Sequence, residues 1–340
     1  MKRFYIFVFL LFVLSLGVFA QVSFSGDAYV GVEVEKPALW DNTVRMNHRE
    51  EGAPKFNLAA VAARENYGVK LDLTCQTTNP FTINGIYGWA YFWENQIRLT
   101  MGKISDGIWV SRLDPDNEIA FDEITGFRAE YKTPLEGLNV GTVFVVNDLN
   151  FDKFLKKTRL GASYIQYLFN GLIAYDMGKN ASFLAAFNFT GIDDLTDAGV
   201  ELLATNLATW DSDVPGYIGM MQIKEKVGYR IMRPLNVSLL LGQTIYKHPD
   251  DPDDPDSNFG MFFKPMVSYR ILSDLTASIS VEFSTENKFK QTDFTLTPCV
   301  EYSLKGPALV YVQYEFNLVD ITDTKQDNHK FGFGIDIKAF

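Results

Sequence analysis

Cysteine and histidine are scarce in this sequence, which has 2 cysteines and 3 histidines among its 340 residues. Cys75 and Cys299 lie far apart in the chain and on opposite parities of their strand-like segments, so we expect no disulfide bond between them. Metal-ligand spacings, phosphate-binding glycine loops and serine nucleophile motifs are also missing from the sequence. We therefore expect no metal, no cofactor and no enzymatic activity.

Long apolar segments are missing after residue 20. The segment Phe4–Val18 is apolar and uncharged, follows two basic residues and leads into small or permissive residues, as in a cleaved secretory signal peptide. Beyond it no apolar run approaches the roughly 20 residues that a membrane-spanning helix needs. The sequence thus predicts a signal peptide over residues 1–20 and a single domain over residues 21–340.

Basic residues are outnumbered by acidic ones, 31 to 42, which gives a formal net charge of −11. Removing the signal peptide with its 2 basic residues leaves 29 basic and 42 acidic residues, a net charge of −13. A chain this acidic is poorly suited to bind the phosphate backbone of a nucleic acid. We therefore expect no nucleic acid partner.

Regular alternation of apolar and polar residues is what the sequence has in abundance. Leu275–Ser284 places every apolar residue at an odd position and every polar one at an even position, and Tyr67–Cys75 and Val310–Leu318 repeat the pattern. A β-strand directs successive side chains to opposite faces, so each of these segments has one apolar and one polar face. We expect the apolar face of Leu275–Ser284 to point outward.

Aromatic residues make up 14% of the chain, and many lie on the apolar parity of the strand-like segments. Tyr87, Trp89, Tyr91 and Trp93 are predicted to belong to this apolar face. A soluble sandwich would have to cover so many rings with a second sheet, whereas a membrane barrel presents them to lipid. We therefore predict the all-β class, as a transmembrane antiparallel β-barrel.

Segments of about 9–11 residues, the length of a membrane-spanning strand, divide the chain into about sixteen strands, enough to enclose an aqueous channel. Short polar turns such as Arg233-Pro234 alternate with longer polar connections. Leu168–Asn180 is interpreted as an elaborated connection, although Leu172–Tyr175 within it could form a seventeenth strand. Asp197–Trp210 shows roughly helical spacing and is predicted to lie in an outer connection.

The signal peptide, the alternating strands, the short and long connections and the aromatic C-terminal residue together resemble the outer-membrane porins of diderm bacteria. The resemblance is architectural and covers the whole mature chain. It implies contact with outer-membrane lipids, insertion by the barrel-assembly machinery through the C-terminal strand that ends in Phe340, and a homotrimer. Phe340 departs from the pattern, because it is out of phase by one residue with the apolar parity of Phe331–Ala339.

The resemblance also implies that the third outer connection, Ser105–Glu123, folds into the barrel and narrows the pore. Trp109 and Leu113 are candidate anchors to the barrel wall. The candidate constriction residues are the acids Asp106, Asp114, Asp116 and Glu118.

Basic residues on the polar parity are candidates for the pore wall, while acidic residues concentrate in the connections. The wall candidates are Arg98, Arg128, Lys224, Arg230 and Arg270. Glu225 is a charged residue on the apolar parity, and we expect it near a rim or at a bulge because a charge facing the middle of the bilayer is unfavourable.

The predicted function is passive diffusion of small hydrophilic solutes or ions through an outer-membrane channel. The alternative is a surface barrel without a channel, acting as an adhesin or an envelope-interaction protein, which would carry larger outer connections. The sequence leaves the charge selectivity of the channel open. It also leaves open whether the acidic connection Asp250–Asp256 binds divalent cations or is simply hydrated.

Overall fold

The computed structural model describes residues 21–37, 43–49, 52–76, 81–105, 109, 111–113, 124–145, 158–177, 181–205, 220–246, 258–286, 291–304, 307–318 and 327–338. Residues 1–20 lie outside these ranges, so the signal peptide stays a prediction. Within the described ranges, no helix has the length and apolar character needed to cross a bilayer.

The described chain consists almost entirely of β-strands joined by turns. The strands are β1 (Gln21–Pro37), β2 (Thr43–Arg45), β3 (Lys55–Ala63), β4 (Tyr67–Gln76), β5 (Thr82–Phe92), β6 (Ile97–Ile104), β7 (Ile124–Lys132), β8 (Leu138–Val145), β9 (Thr158–Gln166), β10 (Phe169–Asp176), β11 (Ser182–Ile192), β12 (Leu195–Thr205), β13 (Met220–Met232), β14 (Leu235–Tyr246), β15 (Asn258–Arg270), β16 (Leu275–Glu286), β17 (Gln291–Ser303), β18 (Ala308–Leu318) and β19 (Asp327–Lys338).

These strands form one closed antiparallel barrel of eighteen strands plus a short additional strand, β2. Closure occurs at β1, which pairs with β3 along Gln21–Tyr29 and with the last strand, β19, along Asp27–Pro37. β2 pairs with β1 at Glu33–Glu35, beyond the end of β3. One end of the barrel carries the tight turns, and both β1 and β19 have their terminal ends there. The barrel class is therefore as predicted.

The predicted number of strands is too low by two, because β10 and β12 were missed. β10 lacks alternation, since its inner face carries Leu172 and Ala174, which are buried in an apolar cluster. β12 covers the described part of the segment Asp197–Trp210, whose spacing had suggested a helix. Tight turns at Tyr167 and Asp193, both with positive φ, connect each missed strand to the one before it. Because two strands were missed together, the alternation of short and long connections still looked consistent.

The outward face predicted for Leu275–Ser284 is confirmed. Ile279 and Phe283 are exposed on the outside of β16, whereas Glu282 points inward and forms an ion pair with Lys264, 2.8 Å away. The paired positions on the neighbouring strands share these faces, so Ile279 lies between Val267 and Pro298.

The predicted lipid-facing position of the β5 aromatics is wrong. Tyr87 is only 3% exposed and, with Trp89 and Tyr91, lies on the inner face, whereas Ile86 and Phe92 are exposed outside. The outward positions between Ile86 and Phe92 are filled by small residues. The large aromatic rings therefore made the inner face of β5 look like the more apolar of its two faces. Trp93 lies in the following turn with a positive φ and is exposed.

The predicted position of Glu225 near a rim or a bulge is also wrong. Glu225 lies near the middle of β13, exposed on the outward face, and its register partners on the two neighbouring strands are Val200 and Leu241. The irregularities in the pairing of β13 occur elsewhere, at Leu195/Asp197 and Arg230/Met232.

Candidate functional site: the lumen

The inner face of the barrel is lined by paired charges. Because alternation sends every second residue of a strand inward, neighbouring strands bring acids and bases on this face into contact. Ion pairs on this face include Lys70–Asp72 (3.1 Å), Arg159–Asp176 (2.7 Å), Lys226–Asp197 (2.5 Å), Lys264–Glu282 (2.8 Å) and Lys330–Glu315 (3.2 Å). The wall therefore contains many acids as well as bases, in contrast to the expected concentration of acids in the connections.

Two of the predicted wall bases, Arg98 on β6 and Arg128 on β7, share one carboxylate. Glu130 Oε2 accepts a hydrogen bond from Arg128 Nε at 3.0 Å and lies 3.8 Å from Arg98 Nη1. The Arg98 guanidinium also lies over the rings of Trp89 and Tyr91, with its carbon 5.2 and 5.8 Å from their centroids. Aromatic faces attract cations, so the inner aromatics of β5 help to fix this base against the wall.

The other predicted wall bases lie elsewhere on the inner face. Lys224 of β13 is buried beside Glu201, its register partner on β12. Arg230 and Arg270 are exposed near the tight-turn end of the barrel. The five bases therefore form no single ring: Arg98 and Arg128 make one cluster, and the other three are distributed over β13 and β15.

The described part of the third outer connection packs against the inner wall. Trp109 lies against Gly161 of β9, where a β-carbon would overlap the indole ring, and Leu113 lies close to Gly199 of β12. Both are buried, as is Ser111, whose hydroxyl accepts a hydrogen bond from the Leu113 amide. The predicted anchors thus contact the wall. The predicted constriction acids Asp106, Asp114, Asp116 and Glu118 lie outside the described residues, as does Asp250–Asp256.

An apolar patch of the inner wall receives this connection. Trp109 belongs to a cluster of buried residues that also contains Ile124, Val143, Leu172, Ala174, Leu184, Ala186 and Leu203. These wall residues come from β7, β8, β10, β11 and β12, and their inward orientation removes the alternation from this part of the sequence. An inner wall of this kind would be unfavourable in contact with water, so burial under the third connection stabilises it.

Two cavities lie beside the third connection, and Ser105 lines both of them. The larger, of about 760 Å³, contains Arg98, Arg128 and Lys132 together with Glu130, so bases outnumber acids on its lining. The smaller, of about 540 Å³, contains Asp27, Asp72 and Lys70, so acids outnumber bases there. The two cavities therefore present opposite local charge excesses to a solute.

A second segment, which was not predicted from the sequence, also enters the barrel. His48 and Arg49 belong to the first outer connection, but they lie against the inner wall at the seam between β1 and β19. The sequence signal for this segment was weak and consisted of two glycines, Gly31 and Gly334. The strand register places them opposite each other, and their lack of side chains leaves space for the segment.

Similarity to known proteins was found among solved structures. OccAB3 of Acinetobacter baumannii superimposes with a TM-score of 0.63 and 12% identity, over 94% of this chain and 99% of that chain. The outer membrane protein opdK of Pseudomonas aeruginosa gives a TM-score of 0.59 and 12% identity, over 94% and 99% of the two chains. The loop L8 deletion mutant of OmpT, an outer membrane protein of Vibrio cholerae, gives a TM-score of 0.55 and 12% identity, over 94% of this chain and 99% of that chain.

These likenesses confirm, at the level of the fold, the predicted resemblance to outer-membrane β-barrel porins. The predicted location in the outer membrane agrees with the descriptions of opdK and OmpT. No protein-family model and no curated protein matches the sequence.

Proposed function

We propose that this protein is a channel of the outer membrane through which small hydrophilic solutes or ions diffuse passively. The observation that carries the proposal is the combination of the described part of the third connection, in which Trp109 and Leu113 lie against the inner wall, with a charged cavity of about 760 Å³ beside it. A barrel of eighteen strands is wide enough for a water-filled lumen. Passive diffusion requires only that lumen and fixed charges that alter the local concentration of ions.

The third connection narrows the pore in this proposal. Its acids Asp106, Asp114, Asp116 and Glu118 would face the passage, with Arg98 and Arg128 on the wall. Lys224, Arg230 and Arg270 would contribute to the field along the lumen. Opposed charges on loop and wall would set the charge selectivity. The channel needs no catalysis and no cofactor, and assembly as a homotrimer remains part of the proposal.

Conductance of the purified mature chain in planar bilayers tests the proposal. We expect discrete single-channel steps, and we expect simultaneous Asp106→Asn, Asp114→Asn, Asp116→Asn and Glu118→Gln substitutions to shift the reversal potential in a salt gradient toward anion selectivity. Neutralising the five wall bases should shift it toward cation selectivity. Asp193→Asn with Asp194→Asn is the matched control, because both acids are exposed in a tight turn at the opposite end of the barrel.

A barrel that inserts into the bilayer but shows no conductance would exclude the channel. The alternative, a surface barrel that binds other cells or envelope components, would then take its place. Equal selectivity of the loop variants and the turn control would instead exclude the third connection as the element that determines selectivity.

A further inference from the structure

The first outer connection turns back into the barrel after β2. β2 runs beside Glu33–Glu35 of β1, and the chain then crosses to the inner face, where the Asn47 amide donates a hydrogen bond of 3.0 Å to the Gly31 carbonyl. His48 and Gly52 exchange backbone hydrogen bonds, and Gly52 has a φ of 69°. The three residues Asn47–Arg49, here named the latch, therefore lie against the wall.

His48 is the buried centre of the latch, with only 1% of its surface exposed. Its Nε2 donates to Asp336 Oδ1 of β19 over 2.5 Å, since a carboxylate can only accept. The imidazole also makes edge contacts with Tyr29 of β1 and Tyr311 of β18, with ring centroids 5.2 and 5.3 Å apart. One side chain thus contacts three successive strands of the barrel.

Arg49 extends the latch to a fourth strand. Its Nη2 lies 2.7 Å from Glu301 Oε1 and 3.6 Å from Asp336 Oδ2, and its Nη1 donates to Cys299 Sγ at 3.2 Å. Its amide donates to the Tyr311 hydroxyl at 3.0 Å, and its guanidinium lies 4.1 Å from the centroid of that ring. Burial by itself would lower the pKa of Arg49, but the hydrogen bond and the charge of Glu301 leave it above its ordinary value.

The wall is shaped to receive the latch. Gly31 of β1 and Gly334 of β19 are register partners. A β-carbon at Gly31 would lie 2.6 Å from the Asn47 carbonyl oxygen, and one at Gly334 would lie 2.6 Å from the Tyr311 hydroxyl. Both distances are far shorter than a carbon–oxygen contact allows. The absence of side chains at these two paired positions therefore creates the notch that the latch and Tyr311 occupy.

The notch lies at the seam where the first and last strands of the barrel pair. Asn47–Arg49 contacts β17, β18, β19 and β1 in order, and β1 and β19 are the first and last strands of the barrel, which meet only when it closes. We propose that Asn47–Arg49 is a latch that clamps the seam between the first and last strands and holds the first outer connection inside the lumen, where it reduces the open cross-section. Release of the latch is a conformational change that widens the pore.

The effect on the pore rests on the proposed channel function, whereas the effect on the seam does not. The first experiment therefore measures both, with His48→Ala, Asp336→Ala and the double variant. We expect each single variant to raise single-channel conductance about twofold, because the first connection leaves the lumen. We also expect the temperature at which the folded, detergent-resistant form is lost to fall by about 5 °C or more, because removing one partner leaves the other partner of this buried hydrogen bond unsatisfied.

His329→Ala is the matched control. His329 also contacts a tyrosine, with its Nδ1 2.5 Å from the Tyr314 hydroxyl, and it also belongs to the β19 seam strand, but it lies half-buried on the outward face. We expect this variant to retain the wild-type conductance and stability. The double latch variant should lose less stability than the sum of the two single variants, since His48 and Asp336 share one hydrogen bond.

Cleavage by trypsin gives a second readout that needs no conductance. The Arg49 side chain is 13% exposed in the latch, whereas Arg45, four residues earlier, is 62% exposed and serves as the internal reference. We expect cleavage after Arg49 to be slow in the wild type and to approach the rate at Arg45 in His48→Ala. Arg49→Gln removes the contacts with Glu301 and Asp336 without altering a strand. If the alanine variants fail to fold, the conductance and the melting temperature of Arg49→Gln test the latch instead.

Each result separates the two proposals. A wild-type barrel without conductance excludes the channel, while melting and cleavage still test the seam. If the wild type conducts and the latch variants have the same conductance, the proposed effect of the latch on the pore is wrong. If the latch variants have the same melting temperature and the same resistance to trypsin as His329→Ala, the proposed clamping of the seam is wrong.

Discussion

Gly161 of β9 lies directly beneath the indole of Trp109, so closely that a β-carbon at that position would overlap the ring. This contact joins the third outer connection to the inner wall of the barrel. A glycine in a strand interior is unfavourable by itself, since it loses more conformational freedom on folding and packs no side chain. At this position the close approach of Trp109 accounts for it.

Replacing Gly161 with alanine tests this contact. We expect the variant to lose about 1–3 kcal/mol of folding free energy, because the methyl group forces the indole or the strand to move. Gly332→Ala is the control, since its β-carbon would meet nothing closer than 3.9 Å. Urea unfolding in lipid vesicles measures both. Equal stability of the two variants would show that Trp109 is not seated on Gly161.

Glu130 determines how much positive charge the larger cavity presents. It pairs with both Arg98 and Arg128, so Glu130→Gln removes the negative charge that these two guanidinium groups share. We expect the reversal potential in a salt gradient to shift toward anion selectivity. Glu282→Gln, which changes an equivalent carboxylate paired with Lys264 on β15, should cause a smaller shift because it lies outside that cavity. A shift toward cations in Glu130→Gln would contradict the assignment.

Glu225 faces outward from the middle of β13 between apolar neighbours. A carboxylate in contact with hydrocarbon destabilises a barrel, though by less than the roughly 2–4 kcal/mol of a midplane lysine or arginine. We therefore expect Glu225→Leu to raise the free energy of unfolding in lipid vesicles by about 1 kcal/mol. Glu282→Leu should lower it, because that carboxylate faces inward and pairs with Lys264. A destabilising Glu225→Leu would show that the carboxylate has a favourable contact in the membrane.

The two faces of β16 are distinguished by cysteine labelling, with Cys75 and Cys299 first replaced by serine. A charged, membrane-impermeant thiol reagent should modify Ser278→Cys and Ser280→Cys in the lumen. It should not modify Ile279→Cys, which faces lipid. A register shifted by one residue would reverse the result, since a strand has a side-chain period of two.

Much of the fold could be predicted from the sequence because alternation is a local property. A single strand such as Leu275–Ser284 carries its two faces in its own residue order, whatever its neighbours are. The outward face of this strand was therefore accessible. The closed barrel followed when the aromatic content was added, and the wall contacts of Trp109 and Leu113 were expected from the resemblance to porins. The location of Arg98 and Arg128 on the inner face followed from the same rule.

Two of the errors, in β5 and β10, occurred where both faces of a strand are apolar. The inner face of β10 is buried beneath the third connection and carries Leu172 and Ala174, so it shows no alternation. The inner face of β5 carries aromatic side chains that stack with basic side chains. From the sequence, this face was mistaken for the face in contact with lipid. In both cases the contacting groups belong to other parts of the chain, and local spacing carries no information about them.

The sequence by itself determined the all-β class, the alternating faces and the excess of acidic residues, since each of these depends on residue type and on the two-residue period of a strand. Only the tertiary structure decided what enters the lumen. His48 and Asp336 are separated by 288 positions and come into contact because the last strand of the barrel pairs with the first. No pattern within a single strand predicts such a contact, because it depends on barrel closure.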